Sequence, residues 1–341
     1  MVEYKNCWIT LNHACNLRCK WCYANETGYK VEDNMKLRLA FQIIDICKEL
    51  SIKHITLIGG EPTIYPHLDE VFRYSQKLGI RCGMVTNGLL FAKSDFAERM
   101  KNIGMRSVSI SLKGYDRRSY IETTGVDCFE QVQDAISCCI QSNIFPTVSM
   151  VLSEDNIDNF LSGVISMKNI GVRNFRFSFL YEFNHDCIHE MPTQDPVLLS
   201  KKFETIYPEL NSVTGGNFNL FCGFPLCIWT PAFIEMLNQR NQITTVCQLL
   251  KQSGLIFDPN GCLLPCNAMP TLSLGRLNED FCNGEELCNF VKTARVTKVY
   301  DRLCGLPSKD CLFCRDMVNC GGGCVCQWTN YSFDSLREKM Q

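Results

Sequence analysis

The chain has 341 residues, 46% hydrophobic and 21% charged, the balance of a globular protein with room for one large domain or two ordinary ones. A net charge of -2 and the lack of any basic block exclude the electrostatic footprint of a nucleic-acid binder. No apolar run nears the ~18 residues of a membrane span and no signal-like run follows Met1, so the expected setting is cytoplasmic, with no membrane partner.

In chain order, β-like runs are predicted at 8–11, 54–58, 81–86, 107–112, 146–152 and 174–180. Helical runs are predicted between them at 35–50, 68–78, 94–103, 129–142 and 157–170. In the first helix Leu37, Phe41, Ile44 and Cys47 recur at three- and four-residue steps, which gives one apolar face. This alternation implies an α/β fold with a parallel sheet and right-handed crossovers. Periodicity alone leaves open whether the sheet is open or curled.

The loop after the first strand holds Cys15, Cys19 and Cys22, spaced Cys-x3-Cys-x2-Cys. A cuboidal four-iron cluster takes four ligands, so three thiolates leave one iron for a substrate or cofactor, and an open position implies catalysis. The competing reading is a zinc site with His13 as the fourth ligand. The chain has 23 cysteines and no secretory signal, which favours metal clusters over disulfides, because the cytosol keeps thiols reduced. Cys47, Cys138 and Cys139 fall in helical runs and are expected to be small buried hydrophobes.

Gly59-Gly60-Glu61-Pro62 follows the second strand; read alone, such a run is a turn. Thr86-Asn87-Gly88 ends the third strand, and in the fourth Ser109 and Ser111 point to one side, with Arg117 and Arg118 beyond it. Near the C-terminus Cys311, Cys314, Cys320 and Cys324 form a Cys-x2-Cys-x5-Cys-x3-Cys block. Upstream, Cys247 and Cys266 belong to a Cys-x13-Gly-x4-Cys run through Gly261, with 257–261 as a hairpin turn. A two-zinc ribbon is the alternative for this tail.

The three-cysteine loop, with Trp21 just before its last thiol, resembles the signature of the radical S-adenosylmethionine (SAM) family, and Gly59, Gly60, Glu61 and Pro62 look like that family's GGEP motif. The resemblance implies a partial (β/α)6 TIM-like barrel with its functional loops at the C-terminal ends of the strands. It implies a [4Fe-4S] cluster on Cys15, Cys19 and Cys22 whose free iron takes the amine and carboxylate of SAM, and reductive cleavage to a 5'-deoxyadenosyl radical. By the same resemblance the GGEP carbonyls receive the SAM ammonium, Trp21 lies near the adenine, and Ser111 meets the ribose. Thr86 and Asn87 match a recurring loop of the same rim. Arg117 or Arg118 stands where the family places a cation for the carboxylate, with Arg118 taken as the candidate.

The two cysteine blocks of the tail resemble the SPASM domain, which holds two auxiliary [4Fe-4S] clusters. Carried over, Cys247, Cys266 and Cys324 would bind the first and Cys311, Cys314 and Cys320 the second. The fourth ligand of the first would be Cys227, with Cys222 as competitor. For the second, the family's last cysteine lies more than ten residues beyond the block, and here only Cys326 follows. Cys326, Cys304 or an open iron are the choices. The expected divisions are 1–185 for the barrel, 186–245 for a bridging segment and 246–341 for the SPASM part.

This resemblance leads to an expected peptide maturase acting on a ribosomal precursor by crosslink, thioether, epimerisation or oxidation, supplied by an external electron donor such as flavodoxin or ferredoxin. A small-molecule dehydrogenase and a non-catalytic electron-transfer protein are the alternatives. The sulfatase-maturase subclass fits less well, since Lys113-Gly114-Tyr115 stands where those enzymes tend to carry Asp-Gly-Pro. An epimerase needs a thiol donor, for which Cys187, Cys222 and Cys304 are candidates. Because the cluster motif begins at Cys15, the peptide is expected to be held by the barrel, the tail or a separate partner.

Overall fold

The computed structural model describes residues 3–180, 194–304 and 307–328. They fall into two compact units that interleave along the chain: 1–111, 134–146 and 251–303 in the first, and 112–133, 147–250 and 304–341 in the second.

The first unit is built on β1 (Asn6–Thr10), β2 (His54–Ile58), β3 (Arg81–Thr86) and β4 (Ser107–Leu112), joined by α1 (Leu37–Glu49), α2 (Leu68–Lys77) and α3 (Ser94–Asn102). The strands pair parallel in chain order, with Ile9 opposite Leu57, Leu57 opposite Met84 and Val85 opposite Ser109. Ile9, Ile55 and Leu57 are fully buried, as are Ala40, Ile43, Ile44 and Cys47 on the apolar face of α1 and Val71 and Phe72 of α2. Burial of each such aliphatic side chain stabilises the unit by about 1.5–3 kcal/mol. Parallel pairing forces the loops after β1, β2 and β3 onto the same edge.

The four later strands of the second unit are β5 (Phe145–Leu152), β6 (Asn174–Phe179), β7 (Phe218–Phe221) and β8 (Ile243–Thr244), again parallel in chain order. The first unit also receives β9 (Gly254–Phe257), parallel to β1, and the short antiparallel β10 (Cys262–Leu263) and β11 (Gly275–Arg276). Helices α4 (Arg117–Thr124), α5 (Phe129–Gln141), α6 (Phe160–Ile170), α7 (Pro196–Thr214) and α8 (Pro231–Gln239) complete the main elements. The second unit has an aromatic core: Phe179 stacks on Phe224 at 4.5 Å, and Trp229 on Phe233 at 5.8 Å. The six expected strands and five expected helices are present; α4 is additional, begun by a capping box between Asp116 and Ser119. Among the described residues no helix is long and apolar enough to cross a membrane.

Candidate active site

Three strand-end loops of the first unit are laced together by backbone and by one buried carboxylate. Asn12, at the end of β1, is fully buried and donates through Nδ2 to the Glu61 carbonyl at 3.0 Å. Its own carbonyl accepts from Gly60 N–H at 2.9 Å, and the Ala14 carbonyl accepts from Glu61 N–H at 2.8 Å. That contact leaves no room for side chains: a Cβ on Gly59 would lie 2.1 Å from Asn12 Oδ1, and one on Gly60 would lie 2.2 Å from the His13 carbonyl oxygen. Glycine is required here by close approach of two backbones.

Glu61 is 1% exposed. Its Oε1 accepts from Thr63 N–H (3.0 Å), Thr63 Oγ1 (2.6 Å) and Thr86 Oγ1 (2.5 Å), and its Oε2 from Asn87 N–H (2.8 Å). Burial pushes this carboxyl above its ordinary range, and the surrounding donors pull the other way. A carboxylate is an acceptor only, which suits a pocket that offers nothing but donors. Asn87 continues the lacing, donating from Nδ2 to Asn16 Oδ1 at 2.7 Å, inside the cysteine loop. The Glu61 side chain is a strut between these loops.

Cys15 and Cys22 are half-buried and Cys19 is buried. Leu17 N–H points at Cys15 Sγ at 3.4 Å, and Cys22 N–H bonds the Cys19 carbonyl at 3.1 Å, which curls the loop. Burial pushes the Cys15 thiol up to about 11, with Glu61, Cys22 and Cys19 adding to the rise and the Leu17 N–H opposing it. Arg18 ties the loop from outside, donating to the Cys15 and Leu17 carbonyls at 2.7 and 2.8 Å and lying 4.2 Å above the Tyr29 ring. Burial raises the Tyr29 phenol, and Cys22 raises it further; its hydroxyl donates to Asn25. His13 is held through Nδ1 by Asp33 Oδ2 at 3.0 Å.

These residues fit an iron-sulfur cluster with a bound cofactor on chemical grounds. Three cysteines in one short loop are the soft donor set that such a cluster uses, binding as thiolates once a positive metal centre is present. Two buried polar atoms of the same loops, Trp21 Nε1 and Asn12 Oδ1, lack a hydrogen-bond partner, which a ligand at this edge would supply. Among the described residues no three Cys, His, Asp or Glu side chains gather as the ligands of a single metal ion. On β4, Val108, Ile110 and Leu112 are buried while Ser109 and Ser111 line the other, half-buried face.

The remaining expected site residues lie elsewhere. Arg118 is 88% exposed in the first turn of α4 and pairs with Glu122 at 2.8 Å; Arg117 grips Asp127. In the second unit Cys311 sits in the turn Lys309–Phe313, Cys314 follows it, and Cys320 closes the helical turn Met317–Cys320. Burial raises the Cys320 thiol, and the nearby Cys314 and Cys311 add to this. These three thiols line a cavity of about 640 Å³, together with Cys227. Cys247, Cys304 and Cys324 are half-buried in this unit, Cys326 is 7% exposed, and Cys222 is fully buried with Sγ 3.5 Å from the Phe224 carbonyl. Cys266 is half-buried in the first unit, and Cys187 lies outside the described residues.

Residues 9–162, which contain all three laced loops, match the model of the radical SAM superfamily. The chain carries a radical SAM domain. Among curated proteins, one named "Probable GTP 3',8-cyclase" from Saccharolobus islandicus is 31% identical over 178 residues, which is 51% of this chain and 56% of that protein. A protein of the same name from Sulfurisphaera tokodaii is 29% identical over 60% of this chain and 61% of its own length. The chain thus spans a little over half the length of the curated relatives it matches. Among solved structures, Streptococcus suis SuiB bound to precursor peptide SuiA superposes over 95% of this chain and 72% of SuiB, with a TM-score of 0.73 at 17% identity. The anSMEcpe structure with bound AdoMet and Kp18Cys peptide superposes over 98% of both chains, with a TM-score of 0.70 at 15% identity. The architecture is the radical SAM fold with a parallel sheet and a cysteine-rich C-terminal part.

Asn12, Asn16, Thr63, Arg18 and Tyr29 support the radical SAM loops but carry no motif of their own. The available signal was position: Asn12 and Asn16 flank the first cysteine, and Thr63 follows Pro62 directly.

Proposed function

We propose that this radical SAM enzyme modifies a peptide, with a [4Fe-4S] cluster on Cys15, Cys19 and Cys22 and SAM beside Trp21, Gly59, Gly60, Glu61, Pro62, Thr86, Asn87 and Ser111, and with Arg118 left in its surface pair with Glu122. When bound, the cluster and SAM supply one-electron chemistry that removes hydrogen from an unreactive carbon. The chain's own part is to fix the three loops so that the thiols, the GGEP backbone and the β4 serines face one edge, and to keep that edge from shifting through the Glu61 strut. In this reading 1–185 is the barrel, 186–245 a bridge and 246–341 the part for auxiliary clusters, with electrons delivered by a flavodoxin- or ferredoxin-like donor.

The observation that carries the peptide reading is the extent of the fold. The likeness to two structures crystallised with peptides runs through the cysteine-rich tail to 95 and 98% of the chain. A second reading, a GTP cyclase, is favoured by the names of the curated relatives, whose likeness covers 51 to 60% of the chain. One experiment separates them. The anaerobically reconstituted enzyme, with SAM and reductant, is given GTP in one arm and co-expressed with short open reading frames of its own gene neighbourhood in the other. A defined mass shift on a peptide is expected, with GTP unchanged. Conversion of GTP, or intact clusters without any peptide mass shift, would overturn the peptide reading.

A further inference from the structure

The cavity in the second unit is lined by four cysteines, and four is the number of thiolates that saturates a cuboidal cluster. Cys311 and Cys314 come from one turn, closed by Cys314 N–H on the Cys311 carbonyl at 3.3 Å. Cys320 is placed by its N–H on the Asp316 carbonyl at 2.8 Å. Cys227 arrives from far upstream, in the short turn Leu226–Ile228 between β7 and α8. All four line the cavity, along with Trp229 and Met317. Neither Cys304 nor Cys326 is among its lining residues.

The approach of Cys227 is fixed by backbone at its threshold. Leu226, the residue before it, donates its N–H to Cys320 Sγ at 3.3 Å, and Cys324 donates its N–H to the Gly223 carbonyl at 2.7 Å. Gly321, Gly322 and Gly323 have φ of 60, 77 and 84°. A Cβ on Gly323 would lie 2.7 Å from the Gly223 oxygen and 3.0 Å from Pro225 N. A side chain at Gly323 would collide with the Gly223 and Pro225 backbone, so this glycine is what allows the 223–227 segment to press against the cysteine block.

We propose that Cys227 is the fourth thiolate of the second auxiliary cluster, joining Cys311, Cys314 and Cys320. This rests on the reading that the tail holds iron-sulfur clusters, and it moves Cys227 away from the first cluster, where the SPASM resemblance puts it. Its consequence is functional: a cluster with four protein thiolates offers no open iron, so it passes electrons or braces the fold and does not chelate the substrate.

The test uses the full chain with Cys15, Cys19 and Cys22 replaced by Ala, so that only the tail loads iron on anaerobic reconstitution. Iron and sulfide content and the EPR spectrum of the reduced protein are read before and after Cys227→Ala, alone and together with Cys311→Ala and Cys314→Ala. Cys227 is exposed, so its truncation leaves no core cavity, and circular dichroism checks the fold of each variant. The expected result is an altered EPR signal or a loss of about four irons from the single variant, with no further change once Cys311 and Cys314 are gone. Loss of a further about four irons in that combination would assign Cys227 to the other cluster and overturn the proposal, as would unchanged iron and EPR in the single variant. Zinc, or no iron, in the parent tail would instead defeat the cluster reading itself, before Cys227 is touched.

Discussion

The two thiol sets of this protein are built in opposite ways. The first lies within eight residues of one loop, and that loop is bonded on both sides to the loops after β2 and β3. The second draws on segments 94 residues apart, with Leu226 N–H on Cys320 Sγ and Cys324 N–H on the Gly223 carbonyl among the bonds that join them. Its surroundings are bare: Phe313 is 90% and Val318 88% exposed. A loop preformed by protein bonds can hold three thiols and leave a metal position free, whereas short turns with little apolar burial need the metal to hold them together.

The largest effect should come from replacing Cys15, Cys19 and Cys22 together by Ala: SAM cleavage falls to background while the circular dichroism of the fold persists. If cleavage continues, the preformed loop is not the reactive centre. Next, iron removal should act unequally. Hydrogen exchange in 307–328 is expected to quicken by about tenfold or more, while the β1–β4 strands keep their protection. Equal loosening of both regions would erase the contrast drawn above. Third, Gly60→Ala forces a methyl into the His13 carbonyl and should cost roughly 1–3 kcal/mol, read in denaturant melts, with poor loading of the first cluster.

Glu61→Gln comes fourth. A side-chain amide must aim N–H groups at a hydroxyl or a backbone N–H, so the variant should lose roughly 1–3 kcal/mol. Burial raises the Glu61 pKa above 4.5, so this carboxyl's contribution is full below that pH and is lost as pH rises through the raised value. The non-titrating variant should flatten that stretch of the stability–pH curve; an unchanged slope would show that the donors cancel the burial. The smallest effect is expected from Arg118→Ala, because this exposed guanidinium is occupied by Glu122 in a surface pair. A clear loss of SAM affinity would bring Arg118 into the cofactor site.

How far the sequence could be read differs between the same two regions. The strands at 54–58, 81–86 and 107–112 match the folded elements residue for residue, since each is a β-rich run bounded by helical periodicity. Helix α4 was overlooked although Asp116 and Ser119 stand at capping-box spacing, because only eight residues follow and none repeats an apolar face. β7, β8 and β9 hold four, two and four residues, too few for a period of two to register. Cysteine spacing marks the thiols of the tail and the resemblance points to Cys227 or Cys222 upstream, but neither predicts the contact that brings that segment back. The encounter of Leu226 with Cys320 is a property of chain folding, and no local pattern encodes it.

The bond from Asn87 to Asn16 spans 71 residues, and Glu61 stands between the loops it joins. A nascent chain that has exposed Cys22 but not yet residue 89 has the thiols without their frame. The frame around the three thiols is thus completed from the third strand: without Thr86 and Asn87, Glu61 lacks two of its donors and the cysteine loop lacks its tie through Asn16.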